Sequence, residues 1–494
     1  MNQPSFTLAQ TGLNLLPSSL VYYDGSEYGA AVTTEGIKLA VLNIQKKKGY
    51  QDFQGDIFGE GKYPYLLCLP TNENIAAMRA RLPWLQPCLL GLRTSAGMGD
   101  RLGFATPGHV RAIQKTGGKI APIFAQQSIR EMTRTGRTPR QVMDDATWGV
   151  FQTGWQGGYG ADADHLKTPE DIDCCLAAGF TFFTIDPGAY VNNSAEYASL
   201  PTLKEMAEDL PGDLHILENK LLGQVFEIEG MRIHFDEINL YRAMVKYGRA
   251  IWGVVWMVRH LEYIAGAHPF ELEISVDETD LPTSHAEHLY IASELKRLGV
   301  EWTSLAPRFV GRFEKGVDYI GDLSTFEADI AGHAAIARAM GPYKLSLHSG
   351  SDKFSIYPAA MRQTRGLVHL KTAGTSYLEA LRTIAELEPD FFRQIYTFAR
   401  ERYETDRVSY HVSARLDCSP SPGDVTEWRG LLDQFDAREI LHVTFGSVLT
   451  EQNPDGTSRF QSHLIHLLNS HPEAYAANLE KHFIRHLMPF VAAK

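Results

Sequence analysis

From Cys88 onward the chain repeats one rhythm: a short apolar run, a polar or glycine-rich stop, then a stretch of helical length. Eight runs read as strands: "PCLLGLRTS", "KIAPIFAQQS", "YGADADHL", "FTFFTIDPG", "FELEISVDET", "EWTSLAPRF", "YKLSLHSGS" and "GLVHLKTAG". Helical patterns separate most of them, among them "TPGHVRAIQKT", "TPEDIDCCLAAG", "HAEHLYIASELKRLG" and "FEADIAGHAAIARAM". In "TPEDIDCCLAAG" Thr168 is placed to cap and Pro169 to open the first turn. Eight strand-plus-helix units predict an α/β fold, a TIM-type (β/α)8 barrel. A doubly wound sheet would need a glycine-rich dinucleotide turn after its first strand, and "GMGDRLG" lacks that spacing.

Three segments break the rhythm. Residues 1–87 hold β-like runs ("SLVYYDG", "GAAVTTEGIKLAVLNI", "YPYLLCLP") and one short amphipathic helix, "NENIAAMRARLPWL", which predicts a small α+β cap. The catalytic barrel is expected over residues 88–385, with an insertion at about 190–268 after the fourth strand that carries a hairpin around Glu229-Gly230. Residues 386–494 read as a mainly helical region packed on the barrel.

Composition narrows the function. A formal charge of −12 argues against nucleic acid as a partner, and the densest basic run, "IQKKKGY", has three lysines and reads as a solvated turn. No secretory segment opens the sequence, and the most apolar run, "AIWGVVWMV", is too short to span a bilayer. Five scattered cysteines without a CxxC pair fit reduced thiols in a cytoplasm. A homo-oligomer is allowed for.

In a barrel of this kind, reactive groups belong at the C-terminal ends of the strands. Those positions hold Asp100 and Arg101; Gln126, Gln127, Ser128 and Arg130; Asp162, Asp164, His165 and Lys167; Asp186; Glu273, Ser275, Asp277 and Glu278; Arg308; His348 to Lys353; and His369 with Lys371. So many polar groups on one face exceed what solvation requires. From this set Gln127, Ser128, Arg130, Asp186, Arg308, Ser349, Lys353 and Lys371 are the expected substrate contacts.

His165 and His348, with carboxylates near by, suit zinc, manganese, nickel or cobalt. The competing reading is a pair of hydrogen-bonded structural histidines. In "GADADHL" a regular strand would send Asp164 and His165 to opposite faces, but near the rim regularity fails and both can reach the mouth. Glu273 lies on the inward face of "ELEISVDET", where it is either the partner of an arginine such as Arg308 or a general acid/base. "IREMTRTGRTPRQ" brings Arg130, Arg134, Arg137 and Arg140 with no regular helical period at its start; it reads as a solvated loop paired with Asp144 and Asp145, or as a fork onto a substrate anion. "KTAGTSYLEAL" suggests an anion site at a helix N-terminus.

Many ordered blocks also resemble the D-tagaturonate epimerases of hexuronate catabolism: "GLRTSAGMGDRLGFATPGHVRA", "PIFAQQSIRE", "DDATWGVFQ", "GADADHLKTPED", "SVDETDLPTS", "EKGVDYIGDL", "LHSGSDKFSIYP", "HLKTAGTSYLEA" and "HVTFGSVL". The resemblance implies a divalent-metal enzyme that interconverts D-tagaturonate and D-fructuronate by inverting carbon 4. It implies Asp164 as proton acceptor, Glu273 as proton donor, and His165 and His348 as metal ligands. The third ligand is left between His369 and Asp277. No nucleotide cofactor is expected.

The chemistry of carbon 4 accords with this. Its hydroxyl is β to the carbon-2 ketone, so its hydrogen is not acidified by that carbonyl. Retro-aldol cleavage between carbons 3 and 4, rotation and re-addition is one route; proton exchange at carbon 4 between Asp164 and Glu273 is the other. Fructose and tagatose share the reacting carbons. A ketose isomerase or aldolase, or a sugar-acid binding protein, are the rival functions.

Overall fold

The computed structural model describes residues 7–43, 50–59, 64–372 and 374–491. The three lysines at 46–48 lie outside the described residues.

Eight parallel strands close into a barrel. In chain order they are β1 (Ser95–Gly97), β2 (Ala121–Ser128), β3 (Gly160–Leu166), β4 (Phe182–Ile185), β5 (Glu271–Val276), β6 (Ser304–Pro307), β7 (Lys344–Leu347) and β8 (Val368–Lys371). Each pairs with its sequence neighbour, and β8 closes onto β1 through His369 opposite Ser95. Both faces of these strands are buried, the outer one mostly apolar against helices and the inner one largely polar.

The first strand differs from expectation. "PCLLGLRTS" is not extended pairing chain: β1 starts only at Ser95. The reason lies in Glu271, whose carboxylate accepts the amides of Leu90 (2.9 Å) and Gly91 and so holds this segment outside the sheet.

The barrel interior is layered with charge. Lys344 Nζ donates to Ser95 Oγ at 3.0 Å. One layer up, Thr184 Oγ1 is 3.0 Å from Asp162 and 3.3 Å from Glu273. Buried ions of this density persist only where each finds a partner, and the partners are described below.

The segments between the strands follow local sequence. Thr168 caps Pro169–Ala178 in a capping box, as its spacing predicts. The segment after β2, in contrast, is two helices rather than a loop. Ile129–Thr135 is capped by Ser128 and stopped by left-handed Gly136, and Thr138 then caps Pro139–Thr153. Between β4 and β5 lie short helices, the hairpin Val225–Ile228/Met231–His234, and the long helix Glu237–Ala265. Glu229 and Gly230 turn that hairpin at positive φ, and the Glu229 carboxylate pins it to Arg338 and Arg365.

Before the barrel, a five-stranded antiparallel sheet carries the helix Asn72–Arg81, whose Arg79 pairs with buried Asp144 at 2.6 Å. After it, helices including Pro389–Asp406, Phe435–Val443 and Pro472–Val491 pack around the barrel's first and last helices. Among the described residues no helix is long and apolar enough to cross a membrane. All five cysteines are free.

Candidate active site

The end of β3 is irregular. Its register against β4 shifts between Ala163 and Leu166, and His165 takes φ +54°, a left-handed conformation rare outside glycine. Alternation fails there, and both Asp164 and His165 line the cavity at the barrel mouth.

Two histidines meet at one carboxylate. His165 Nδ1 is 2.7 Å from Asp164 Oδ1, and its Nε2 is 3.8 Å from Asp277 Oδ1. His348 Nε2 is 2.6 Å from Glu273 Oε1, and its Nδ1 is 3.2 Å from Asp277 Oδ1. The two rings are 4.9 Å apart. Each imidazole thus has one carboxylate behind it and shares Asp277 in front.

This donor set fits a divalent cation. His165, Asp277 and His348 each offer one ligand atom, all within 4.8 Å of one another. A carboxylate behind each ring fixes which nitrogen carries the proton and turns the other nitrogen inward, the usual support of a metal-binding histidine.

Lys371 ties the two backing carboxylates together. Its Nζ lies 2.6 Å from Asp164 Oδ1, 2.8 Å from Glu273 Oε1, 3.0 Å from Asp162 Oδ2 and 2.7 Å from Thr184 Oγ1. Burial by itself would raise the Asp164 and Glu273 carboxyls. For Asp164 the charges of His165 and Lys371 overcome it; for Glu273 those of Lys371 and His348 do, and both are held well below the usual range. Burial likewise opposes the charge on Lys371, but Asp162, Asp164 and Glu273 hold its ammonium well above the usual lysine range. Asp277 is kept low against burial by His348 and His165.

The cavity above this floor measures about 550 Å³, room for a six-carbon sugar acid and its water. Its walls carry cations. Arg101 is committed to Glu131 at 2.5 Å. Arg130 is 3.7 Å from Glu278 and stands over the Tyr410 ring. Lys315 Nζ donates to Ser349 Oγ at 2.5 Å, and Ser349 itself sits at φ +49°. Arg308 reaches the cavity with no ion-pair partner for its guanidinium among the described residues.

Of the expected substrate contacts, the structure brings Ser128, Arg130, Arg308, Ser349 and Lys371 to the cavity. Three do not line it. Gln127 is buried away from it, its carbonyl oxygen taken by Arg137 at 3.1 Å. Asp186 accepts the amide of Gly188, pairs with the ammonium of Lys167 at 3.1 Å, and lies beside the site, its donor atom within 4.8 Å of those of His165 and Glu278. Lys353 spends its ammonium on the carbonyls of Glu314, Val317 and Ser351, in a burial that pulls its pKa down to about 8.

His369 does not join the donor set. It precedes Lys371 by two residues on the same strand face, so it lies one layer deeper, with Nδ1 2.9 Å from Ser95 Oγ and Nε2 3.9 Å from Asp162. Asp277, by contrast, lies with His165 and His348. Glu273 pairs with Lys371 and His348, not with Arg308. Arg137 and Arg140 do meet Asp145 and Asp144, while Arg134 contacts Ser409 and Tyr410. At the N-terminus of the helix Thr375–Leu387, Thr375 Oγ1 donates to the buried Asp352 carboxylate at 3.2 Å.

Sequence reasoning missed Lys315, Ser409, Tyr410 and His411, all of which line the cavity. Lys315 stands in "EKGVDYIGDL" with no local pattern to mark it, and the other three arrive from the C-terminal region through contacts across the chain.

Residues 19–489 match the family model described as tagaturonate epimerase. The tagaturonate/fructuronate epimerase of Thermotoga maritima is 45% identical over 425 residues, which cover 86% of each chain. The native crystal structure of the fructuronate-tagaturonate epimerase UxaE from Cohnella laeviribosi superposes with a TM-score of 0.92 at 38% identity, covering 98% of this chain and 97% of that one. The structure of that protein with one glycerol gives the same values.

Proposed function

The chain belongs to the tagaturonate epimerase family, and from that premise we propose that it interconverts D-tagaturonate and D-fructuronate by inverting carbon 4, with a divalent cation held by His165, His348 and Asp277. The observation that carries this reading is the shared lysine: one ammonium joins two carboxylates, each of which backs one of the two histidines. A cation bound there would supply Lewis-acid chemistry to the substrate's oxygens.

The residues themselves favour the retro-aldol route. Direct exchange at carbon 4 needs two groups on opposite faces of one carbon, yet Lys371 Nζ occupies the space between Asp164 and Glu273. In the retro-aldol route Asp164 accepts the carbon-4 hydroxyl proton as the C3–C4 bond breaks. Its electron pair passes to carbons 2 and 3 as an enediolate, and carbon 4 becomes an aldehyde. After the aldehyde rotates, the enediolate re-adds to its other face. Glu273, ionised at rest, takes that proton from Asp164 through Lys371 and returns it to the new alkoxide. No atom is gained or lost. Arg308, with Arg130 and Lys315 on the same wall, would hold the carbon-6 carboxylate. We place the enzyme in the cytoplasm, where its free thiols stay reduced.

The test is proton NMR of the protein with D-tagaturonate before chelation, after it, and after zinc, manganese or nickel is restored. Chelator-sensitive formation of D-fructuronate is expected. Turnover of fructose or tagatose alone would move the substrate, and net cleavage would favour the aldolase reading.

A further inference from the structure

Two barrel helices bring a second set of metal donors together, sharing none with the active site. His285 begins the helix His285–Arg297, directly after its cap Ser284. Asp329 and His333 stand one turn apart on the helix Leu323–Met340. We propose that His285, Asp329 and His333 form a second, structural site for a zinc-class divalent cation.

The spacing supports it. His285 Nε2 and His333 Nε2 lie 3.7 Å and 3.6 Å from the same oxygen, Asp329 Oδ1, and the three donor atoms are within 4.8 Å of one another. These separations are too long for hydrogen bonds. They are close to the roughly 3.3 Å between two donors that each bind one tetrahedral zinc at about 2.0–2.1 Å.

A buried orphan points into the site. His333 is fully buried, and its Nε2 has no hydrogen-bond partner. Its other nitrogen lies 2.9 Å from His288 Nδ1, and His288 Nε2 lies 2.7 Å from the Tyr343 hydroxyl. These contacts allow the tautomer in which His333 donates to His288 and His288 to Tyr343, and that tautomer turns the Nε2 lone pair of His333 toward Asp329. Neutral imidazole is the form that binds metal.

Asp329 is short of a cation. Its Oδ2 accepts the Val310 amide at 3.1 Å, and no lysine or arginine among the described residues pairs with it. Gly332 makes the room: a Cβ there would collide with Cε1 and Nε2 of His285. A glycine inside a helix weakens it, and here it lets an imidazole lie against the backbone. His285 Nε2 is also 3.0 Å from the Asp329 carbonyl, the one hydrogen bond a bound cation would displace.

The site stands behind the active-site wall. The Phe309 ring meets His333 edge-on at 5.5 Å, and Asp329 holds the amide of Val310. Both residues follow Arg308, so a cation here would brace the segment that carries it.

The experiment is zinc content by mass spectrometry after chelation, zinc reloading and gel filtration. Wild type is expected to hold about two zinc ions per chain, and His165→Ala/His348→Ala about one. His333→Ala, or His285→Ala at the half-exposed helix start should the buried variant misfold, is expected to hold one fewer than its parent. Zinc should also raise the unfolding temperature of His165→Ala/His348→Ala. A folded His165→Ala/His348→Ala without zinc, or zinc content unchanged in both His285→Ala and His333→Ala, overturns the proposal.

Discussion

The ammonium of Lys371, at the end of β8, lies 2.6 Å from the carboxylate of Asp164 at the end of β3. Removing that charge leaves Asp162, Asp164 and Glu273 facing one another in a buried space. Lys371→Met is therefore expected to lower kcat by about 10²- to 10⁴-fold with KM much less affected. Steady-state kinetics beside circular dichroism decide it; a folded variant within a few-fold of wild type would remove Lys371 from the proton path.

The donor set can be read by composition. Asp277→Asn and His348→Ala should each lose about one metal ion per chain and with it the activity, while His369→Asn keeps the metal. Equal loss in His369→Asn would return that residue to the ligand set. Loss in neither Asp277→Asn nor His348→Ala would remove the site.

The route at carbon 4 leaves an isotopic record. Cleavage between carbons 3 and 4 never breaks the carbon-4 C–H bond. Conversion in D2O should thus give D-fructuronate with protium at carbon 4, seen by proton NMR. Deuterium there at one equivalent would establish direct proton exchange.

Arg308 lines the cavity and forms no ion pair among the described residues, which leaves its guanidinium available to a substrate carboxylate. A hydrogen bond to a charged group contributes about 1.5–3 kcal/mol, so Arg308→Met should reduce kcat/KM for D-tagaturonate by roughly 10- to 100-fold. Any turnover of neutral ketohexose should change far less. Parallel losses on both substrates would assign Arg308 to structure instead.

Glu439 should make stability fall with rising pH. Burial, with Glu314 beside it, pushes its carboxyl from 4.5 up to about 8. Between those values the folded chain keeps a proton that the unfolded chain has released. Stability is therefore full below about pH 4.5 and is lost as pH rises toward about 8. Glu439→Gln, measured by thermal unfolding across that window, should flatten the decline by several degrees. An unchanged slope would mean that Glu439 is ionised in the fold.

Much of this was legible in the chain. Seven of the barrel strands fall within runs whose alternation and polar stops mark them, because here the barrel interior is polar while the outer face packs on helices. The first did not, since Leu90 and Gly91 give their amides to a glutamate 180 residues away and leave only Ser95–Gly97 to pair. His165 and His348 could be singled out as strand-end imidazoles. That His369 lies a layer away from His165 and His348 was within reach of period-two reasoning, because His369 and Lys371 share a face and cannot share a layer. Lys353 looked available by its place in a polar turn, but three carbonyls claim it. Lys315 and Tyr410 had no local signal, for their place depends on loops that meet only in the finished fold.

The wall that Ser409, Tyr410 and His411 give the cavity has a consequence for biosynthesis. All eight strands leave the ribosome by residue 371, yet the pocket lacks that side until about forty further residues have been made. A nascent chain with its barrel already closed would present the charged floor of the site to water from one open flank. Full enclosure of the cavity thus waits on residues 409–411, which are translated after all eight strands.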